Sequence, residues 1–395
     1  MADVQRRVLI LGARAPVALD HARRFAAQGW RVLVGDSISC HITADSRAVS
    51  AQVRLPSARF ATAEYARELN ALIARERIDL LLPTCEEAFY LSRIRAHLPA
   101  SLRVCVAEFD TMHALHSKWT FLQHASASGM AVPDSACVRS IAEARDWAAG
   151  RAVVLKPEYS RFGVHVQLHP QGLDDAASLP LPGNWVVQAL CRGQELCSYA
   201  VADRGRLLAH VCYEPVHRLA RSSSYWFRSV DCPPIRTVTA GLVARLGYTG
   251  QISFDWIRTA DGRCHVLECN PRAISGVHLF DLHDALPAAL DGSGSACIEP
   301  MHGRPRMIAA VMASAGLLTA AKNRQLKSWL HDWRQAQDVL AIRGDRVPLF
   351  GAVRDLSSYA WQGWRQGCTL REAATCDTEW DGEPIPLPPA PPSPA

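Results

Sequence analysis

Residues 252–276 read ISFDWIRTADGRCHVLECNPRAISG, and the way this stretch pairs with itself sets the reading of the whole chain. Two strand-like runs flank Asp261-Gly262, a dipeptide that favours a two-residue hairpin turn. That turn puts Asp255 directly opposite Glu268, with Asn270 two positions on and on the same face. Like charges directly opposite each other destabilise a sheet. Two carboxylates and an amide oxygen on one face are a poor structural element but a good Mg²⁺ site, since Mg²⁺ takes one or two carboxylates and completes its shell with phosphate oxygens. A solvated face carrying two acids is the plain alternative. Phe254, Trp256, Leu267 and Cys269 alternate with the polar set and are expected to form the packing face.

Upstream of the hairpin, strands dominate from about residue 135: 152–155, 164–168, 185–190, 197–202 and 207–213, with one helix over 234–246. Earlier still, strand and helix alternate. Val8–Leu11, 31–35 and 78–82 read as buried strands, 17–28 and 62–77 as helices, and 102–106 as a further short strand, which implies an open, mainly parallel sheet. The spacing of Leu115, Trp119 and Leu122 predicts one helix from Asp110 or Thr111 to Gly129, with Lys118 on it, free to reach solvent. The turn Gly12-Ala13-Arg14-Ala15-Pro16-Val17-Ala18 lacks the second and third glycines of a dinucleotide fingerprint, so Gly12 and Asp36 do not make a nicotinamide or flavin site.

Composition narrows the function class. The chain has 395 residues, 49% hydrophobic and 21% charged, with a formal net charge of +5; this fits a folded protein of several domains and gives no footprint for nucleic acid. The longest uncharged apolar stretch, 307–321, is shorter than the roughly 20 residues a bilayer needs, so no transmembrane segment is expected. Thirteen cysteines without a CxxC pair read as reduced thiols of a cytoplasmic protein, and fifteen histidines show no metal-ligand spacing. Lysine is scarce: 39 of the 43 basic residues are arginine, and only Lys118, Lys156, Lys322 and Lys327 remain. A retained lysine marks a place where a compact ammonium serves better than a guanidinium fork. Lys156 ends an apolar strand and precedes Ser160–Gly163, a short loop of the kind whose amides cradle phosphate.

In order and context, Lys118, Lys156, the Ser160–Gly163 loop, Glu195, Asp255, Glu268, Asn270 and Arg272 resemble the ATP-grasp superfamily, in its carbamoyl-phosphate-synthase-like and biotin-carboxylase-like branch. Leu267–Gly276, LECNPRAISG, is similar to that family's Glu-x-Asn-Pro-Arg motif, and the likeness covers about residues 4–300. The loop has one glycine where many members have several, and position 255 is Asp where carboxylases usually have Glu.

The resemblance implies a fold of α/β and α+β type: a Rossmann-like domain over 1–110, ATP-grasp lobes over 111–190 and 191–300, a helical extension over 301–383 and a disordered proline-rich tail over 384–395. It implies ATP and Mg²⁺ (or Mn²⁺) as cofactors. Lys118 and Lys156 would hold phosphates under a lid at Ser160–Gly163; Gln188, Ala189 and Leu190 would meet adenine through their backbone, and Glu195 the ribose. Asp255, Glu268 and Asn270 would hold the metal, and Arg272 the transferring phosphoryl group. The implied activity is a carboxylate–amine or carboxylate–thiol ligase passing through an acyl phosphate, acting on small molecules, with room for a homodimer. Carboxylation of a biotin carrier and a catalytically silent nucleotide-binding protein are the rivals. Five of the eleven tryptophans, Trp329, Trp333, Trp361, Trp364 and Trp380, lie beyond residue 300 and are expected to pack on the core.

Overall fold

The computed structural model describes residues 5–161, 163, 165–218, 224–301, 305–367 and 369–387. Strand β1 (Arg7–Leu11) is buried along Val8–Leu11, as an inner parallel strand must be when helices cover both its faces. It pairs in parallel with β2 (Arg31–Asp36), after helix α1 (Pro16–Ala27), and β2 pairs with β3 (Ala51–Arg54). Helix α2 (Thr62–Glu76) leads to β4 (Leu80–Leu82), and helix α3 (Glu87–Ile94) to β5 (Arg103–Val104). The sheet order β3-β2-β1-β4-β5 is all parallel. At its C-terminal edge, Arg14 binds the Asp36 carboxylate in a buried ion pair, with 2.5 Å from Nη2 to Oδ1. The acid that a ribose would need is therefore taken by the chain itself.

Helices α4 (Phe109–His116) and α5 (Lys118–Ala127) lead into a second sheet. It is built from β6 (Ser135–Val138), β7 (Val153–Pro157), β8 (Gln167–His169) and β9 (Trp185–Ala189) in the order β6-β9-β7-β8, all antiparallel, with helix α6 (Ile141–Ala148) after β6. Val138, Ala144, Ala148, Val153, Leu155, Trp185 and Val187 form its small core.

The third sheet carries β10 (Gln194–Asp203), β11 (Arg206–Arg218), β12 (Ser224–Val230), β13 (Gly250–Arg258) and β14 (Cys264–Asn270), with helix α7 (Pro233–Leu246) between β12 and β13. Its order is β14-β13-β10-β11-β12, extended by β15 (Pro305–Met307) and β16 (Gln337–Asp338). Gln251 fixes this sheet to the first. Its Nε2 donates to Pro83 O (2.8 Å), while its Oε1 takes the Tyr199 hydroxyl (2.8 Å) and meets His21 Nε2 (3.0 Å), all buried. Burial pushes the His21 imidazole down to about 3, so it serves this network as a neutral ring.

Several expectations need correction. The single helix over 111–129 is broken at Ser117, whose ψ of 117° is extended. Strands β3 and β12 and helices α3 and α6 were not anticipated; they are short or lack a clean period. The strand expected over 164–168 begins at Gln167, and Val164 lies outside the described residues. The region after residue 300 is helical, but it first adds β15 and β16 to the large sheet. Trp361 and Trp364 do not reach the core: they are 56% and 83% exposed. Trp329 and Trp333 stack on each other at 5.4 Å and pack, as expected, against the buried Tyr225, Trp226, Met307 and Met312, while Trp380 is the one of the five that is fully buried. Of the tail expected to be disordered, Ile385 is buried in the core, while residues 388–395 lie outside the described residues.

Candidate functional site

The β13–β14 hairpin delivers the facing carboxylates by a route the sequence does not spell out. Ser253↔Asn270, Phe254↔Cys269 and Asp255↔Glu268 are direct partners. The turn is not two residues long: Thr259 N–H bonds Arg263 O (2.9 Å), leaving Ala260, Asp261 and Gly262 as a three-residue loop with Gly262 at φ +83°. A bulge between Val266 and Glu268 then restores the register. It also turns Leu267 off the packing face, where Val266 is fully buried instead. The Leu267 carbonyl accepts from Lys156 Nζ at 3.0 Å. The irregularity in β14 thus supplies a fixed acceptor for a key lysine.

Asp255 and Glu268 stand side by side across the two strands, and Cys197 Sγ donates to Asp255 Oδ1 at 3.1 Å. Burial, then the charge of Glu268, pushes the Asp255 carboxyl up to about 7. Burial also pushes Glu268 up, but Lys118 and Lys156 outweigh it and hold that carboxyl below its usual range. The lysines thus counter the charge of Glu268, while that of Asp255 has no cation against it that outweighs its burial. Among the described residues no three His, Cys, Asp or Glu side chains form a metal site by themselves. Two carboxylates and the Asn270 amide oxygen are hard donors that fit Mg²⁺ when phosphate and water fill the remaining positions.

Both lysines converge on Glu268. Lys156, in β7, is 5% exposed and also donates to Gln188 Oε1 (3.1 Å). Burial lowers its ammonium to about 8, with Glu268 partly offsetting. Lys118 does not reach solvent; it is 4% exposed, with Nζ 2.9 Å from Ser160 O and 4.0 Å from Glu268 Oε2. The break at Ser117 aims it there. Ser117 caps α5 by accepting from Thr120 N–H (3.1 Å) and donates to Glu158, so Lys118 begins a new helix tied to the loop after β7.

In that loop the buried Ser160 Oγ has no hydrogen-bond partner among the described residues, an orphan hydroxyl on the residue whose carbonyl takes Lys118. Gly163 is left-handed at φ +65°; Phe162, between them, lies outside the described residues. Gln188 is buried and bridges Lys156 to Ser135 Oγ (3.0 Å). The amides of Ala189 and Leu190 are spent on Asp134 O (2.8 Å) and Ala152 O (3.0 Å), which removes them as donors to a base. Glu195 is exposed and ion-paired to Arg218 at 2.8 Å. It lies two residues from Cys197, on the face that carries Asp255.

Arg272 follows β14, with Nη2 3.3 Å from Asn270 Oδ1 and 3.6 Å from Glu86 Oε1. Sequence reasoning missed Glu86. It is buried beyond β4, and its Oε2 accepts from Arg161 Nε and Trp380 N–H (3.3 Å). Burial would raise the Glu86 carboxyl; Arg161 and Arg272 overcome this and hold it low. The only signal in sequence is a pair of acids, Glu86-Glu87, directly after a buried strand.

No family model matches this chain, and no curated protein does. Solved structures do match. N5-carboxyaminoimidazole synthetase from Staphylococcus aureus aligns with a TM-score of 0.60 at 13% identity, over 81% of this chain and 86% of that one. Biotin carboxylase from Campylobacter jejuni gives 0.59 at 13% identity, over 73% and 71%. L-amino acid ligase from Bacillus licheniformis gives 0.54 at 14%, over 73% and 75%. At these identities the likeness is one of fold.

Proposed function

We propose, from the premise that this chain has the ATP-grasp fold, that it is an ADP-forming ligase of small-molecule carboxylates. The observation that carries the reading is the approach of two of the four lysines, in an arginine-rich chain, to the strand bearing one of the facing carboxylates: Lys118 to Glu268 (4.0 Å) and Lys156 to the neighbouring Leu267 carbonyl (3.0 Å). In this reading Lys118 and Lys156 hold ATP phosphates as compact charges, and Ser160 offers its unpartnered hydroxyl. The backbone of Gln188–Leu190 borders the base, and Glu195 exchanges Arg218 for the ribose hydroxyls. Asp255, Glu268 and Asn270 hold Mg²⁺, which when bound neutralises phosphate charge.

The substrate carboxylate attacks the γ-phosphorus and ADP leaves, giving an acyl phosphate; an amine or thiol then displaces phosphate. Arg272 faces the charge that develops on the phosphoryl group, because two anions are being brought together. No side chain is needed as covalent nucleophile. The loop after β7 excludes water from the fragile acyl phosphate. Biotin-carboxylase-like chemistry stays as a second reading because one of the similar structures is a biotin carboxylase; it requires a separate carrier. Free thiols throughout the described cysteines support a reducing, cytoplasmic setting.

The test is an ADP-release screen over acids paired with amines and thiols, with Lys156→Arg alongside. Turnover should appear with an acid and fall at least about 100-fold in Lys156→Arg, since the broader guanidinium cannot replace a buried point charge held by Gln188 and Leu267. Near-normal ADP release by a folded Lys156→Arg protein would sink the assignment of that lysine. ADP release on a biotin carrier with bicarbonate alone would favour the second reading.

A further inference from the structure

The last described stretch, Cys376 to Leu387, runs back across the mouth of the site instead of leaving the protein. Trp380 anchors it, 1% exposed among Phe89, Phe109, His113, His116 and Tyr159. Around the anchor every second residue is acidic: Asp377, Glu379, Asp381 and Glu383. The four acids meet three arginines, Arg14, Arg59 and Arg161, from three loops of the body. Asp377 takes both Arg14 Nη1 (2.6 Å) and Nη2 (2.8 Å). Arg161 reaches Asp381 (2.9 Å) and Glu379 (3.4 Å), and its Nη2 donates to Trp380 O (2.6 Å). Arg59 reaches Glu383 (3.1 Å) and Asp381 (3.5 Å).

We propose that this acidic strap is an intramolecular anion: it occupies the anion-binding side of the cleft and holds the phosphate loop through Arg161 until an anionic ligand displaces it. The inference rests on the ATP-dependent reading of the site. Its first support is charge. On the body, Arg14, Arg59, Arg161, Arg272 and Lys118, five cations, face three acids, Asp36, Glu86 and Glu268. That leaves a cationic surplus of the kind that binds phosphate or carboxylate, and the four strap carboxylates cover it. The second support is position. Arg161 lies in the loop that follows Lys156, one residue beyond the unpartnered Ser160 hydroxyl. The charge of Asp381 also acts on Lys118. Gly382, at φ +88°, lies so close to the Tyr159 ring that a Cβ there would approach it to 2.8 Å, so strap and loop are in direct contact. A mere brace needs the Trp380 and Ile385 anchors; it does not need carboxylates on Arg14, Arg59 and Arg161.

The test compares the full chain with Glu379→Gln and Asp381→Asn, which keep the Trp380 anchor and remove one competing charge each. Calorimetry with Mg²⁺ and a non-hydrolysable ATP analogue should show affinity rising roughly three- to ten-fold in either variant, while Glu68→Gln, an exposed charge change on α2, leaves it unchanged. Affinity equal to or weaker than that of the unaltered chain would overturn the proposal. Hydrogen exchange supplies a readout that does not depend on nucleotide binding: tripolyphosphate should speed exchange of the 376–387 amides. Unchanged or slowed exchange would count against a displaceable strap. If neither chain binds the nucleotide but tripolyphosphate still releases the strap, the ATP reading falls and the strap stands.

Discussion

Asp255 and Glu268 bring stability and function into direct conflict. Burial, then the charge of Glu268, drives the Asp255 carboxyl up to about 7, so its ionised form is held at a cost that a bound cation would offset. Asp255→Asn should therefore stabilise the metal-free chain, with Tm rising by roughly 1–4 °C, whereas Glu268→Gln, which leaves the buried Lys118 and Lys156 without their counter-charge, should lower it; both should abolish the further rise that Mg²⁺ and an ATP analogue give. Thermal melts of Asp255→Asn and Glu268→Gln with and without Mg²⁺ check this. An Asp255→Asn protein that melts lower without metal, or either variant keeping the Mg²⁺-dependent rise, would show the pair to be structural. The pairing itself was legible in the sequence, because strand alternation and a turn signal are local information. The roles of Glu86 and Arg161 were not, since each gains meaning only from partners such as Trp380, 294 and 219 positions away.

Among the elements, the break between α4 and α5 does more for the site than either helix. An unbroken helix would have pointed Lys118 elsewhere; the extended Ser117 restarts the helix so that Lys118 enters it pinned to the 158–160 loop. Ser117→Ala removes the cap and the bond to Glu158. It should cost about 1 kcal/mol of stability by urea unfolding and weaken nucleotide binding several-fold. Full affinity in the alanine variant would mean that Lys118 needs no such positioning. The periodicity of Leu115, Trp119 and Leu122 hid the break, because both helices keep apolar residues toward the same core. In β14 the longer turn and the bulge cancel, so the expected partners Asp255 and Glu268 meet although the expected turn does not form.

For the molecule as a whole, the segment after residue 300 divides its tryptophans by destination, and their energetics should divide in the same way. Trp380 fills an aromatic box shared by α3, α4 and the 158–161 loop. Trp380→Ala should cost roughly 3–5 kcal/mol in urea unfolding. Trp364→Ala, at an 83% exposed position, should change stability by less than about 0.5 kcal/mol. Equal losses for the two would contradict the packing described above. Among the described residues no helix is long and apolar enough to cross a membrane.

The sequence by itself determined the parallel N-terminal sheet, the antiparallel strands that follow, and the facing acids Asp255 and Glu268. Each of these follows from spacing within one or two elements, where side-chain period and turn chemistry act over a few residues. The same local information rejected a dinucleotide site, through the glycines missing after Gly12. Only the tertiary structure decided that Glu86 joins Arg161 to Arg272, that Lys118 is buried, and that the acidic end of the chain returns to cover the cleft. Charge and apolarity are properties of a residue, but their partners are chosen by packing between segments hundreds of positions apart. Whether a tryptophan is an anchor or an exposed ring is settled only where its segment comes to rest.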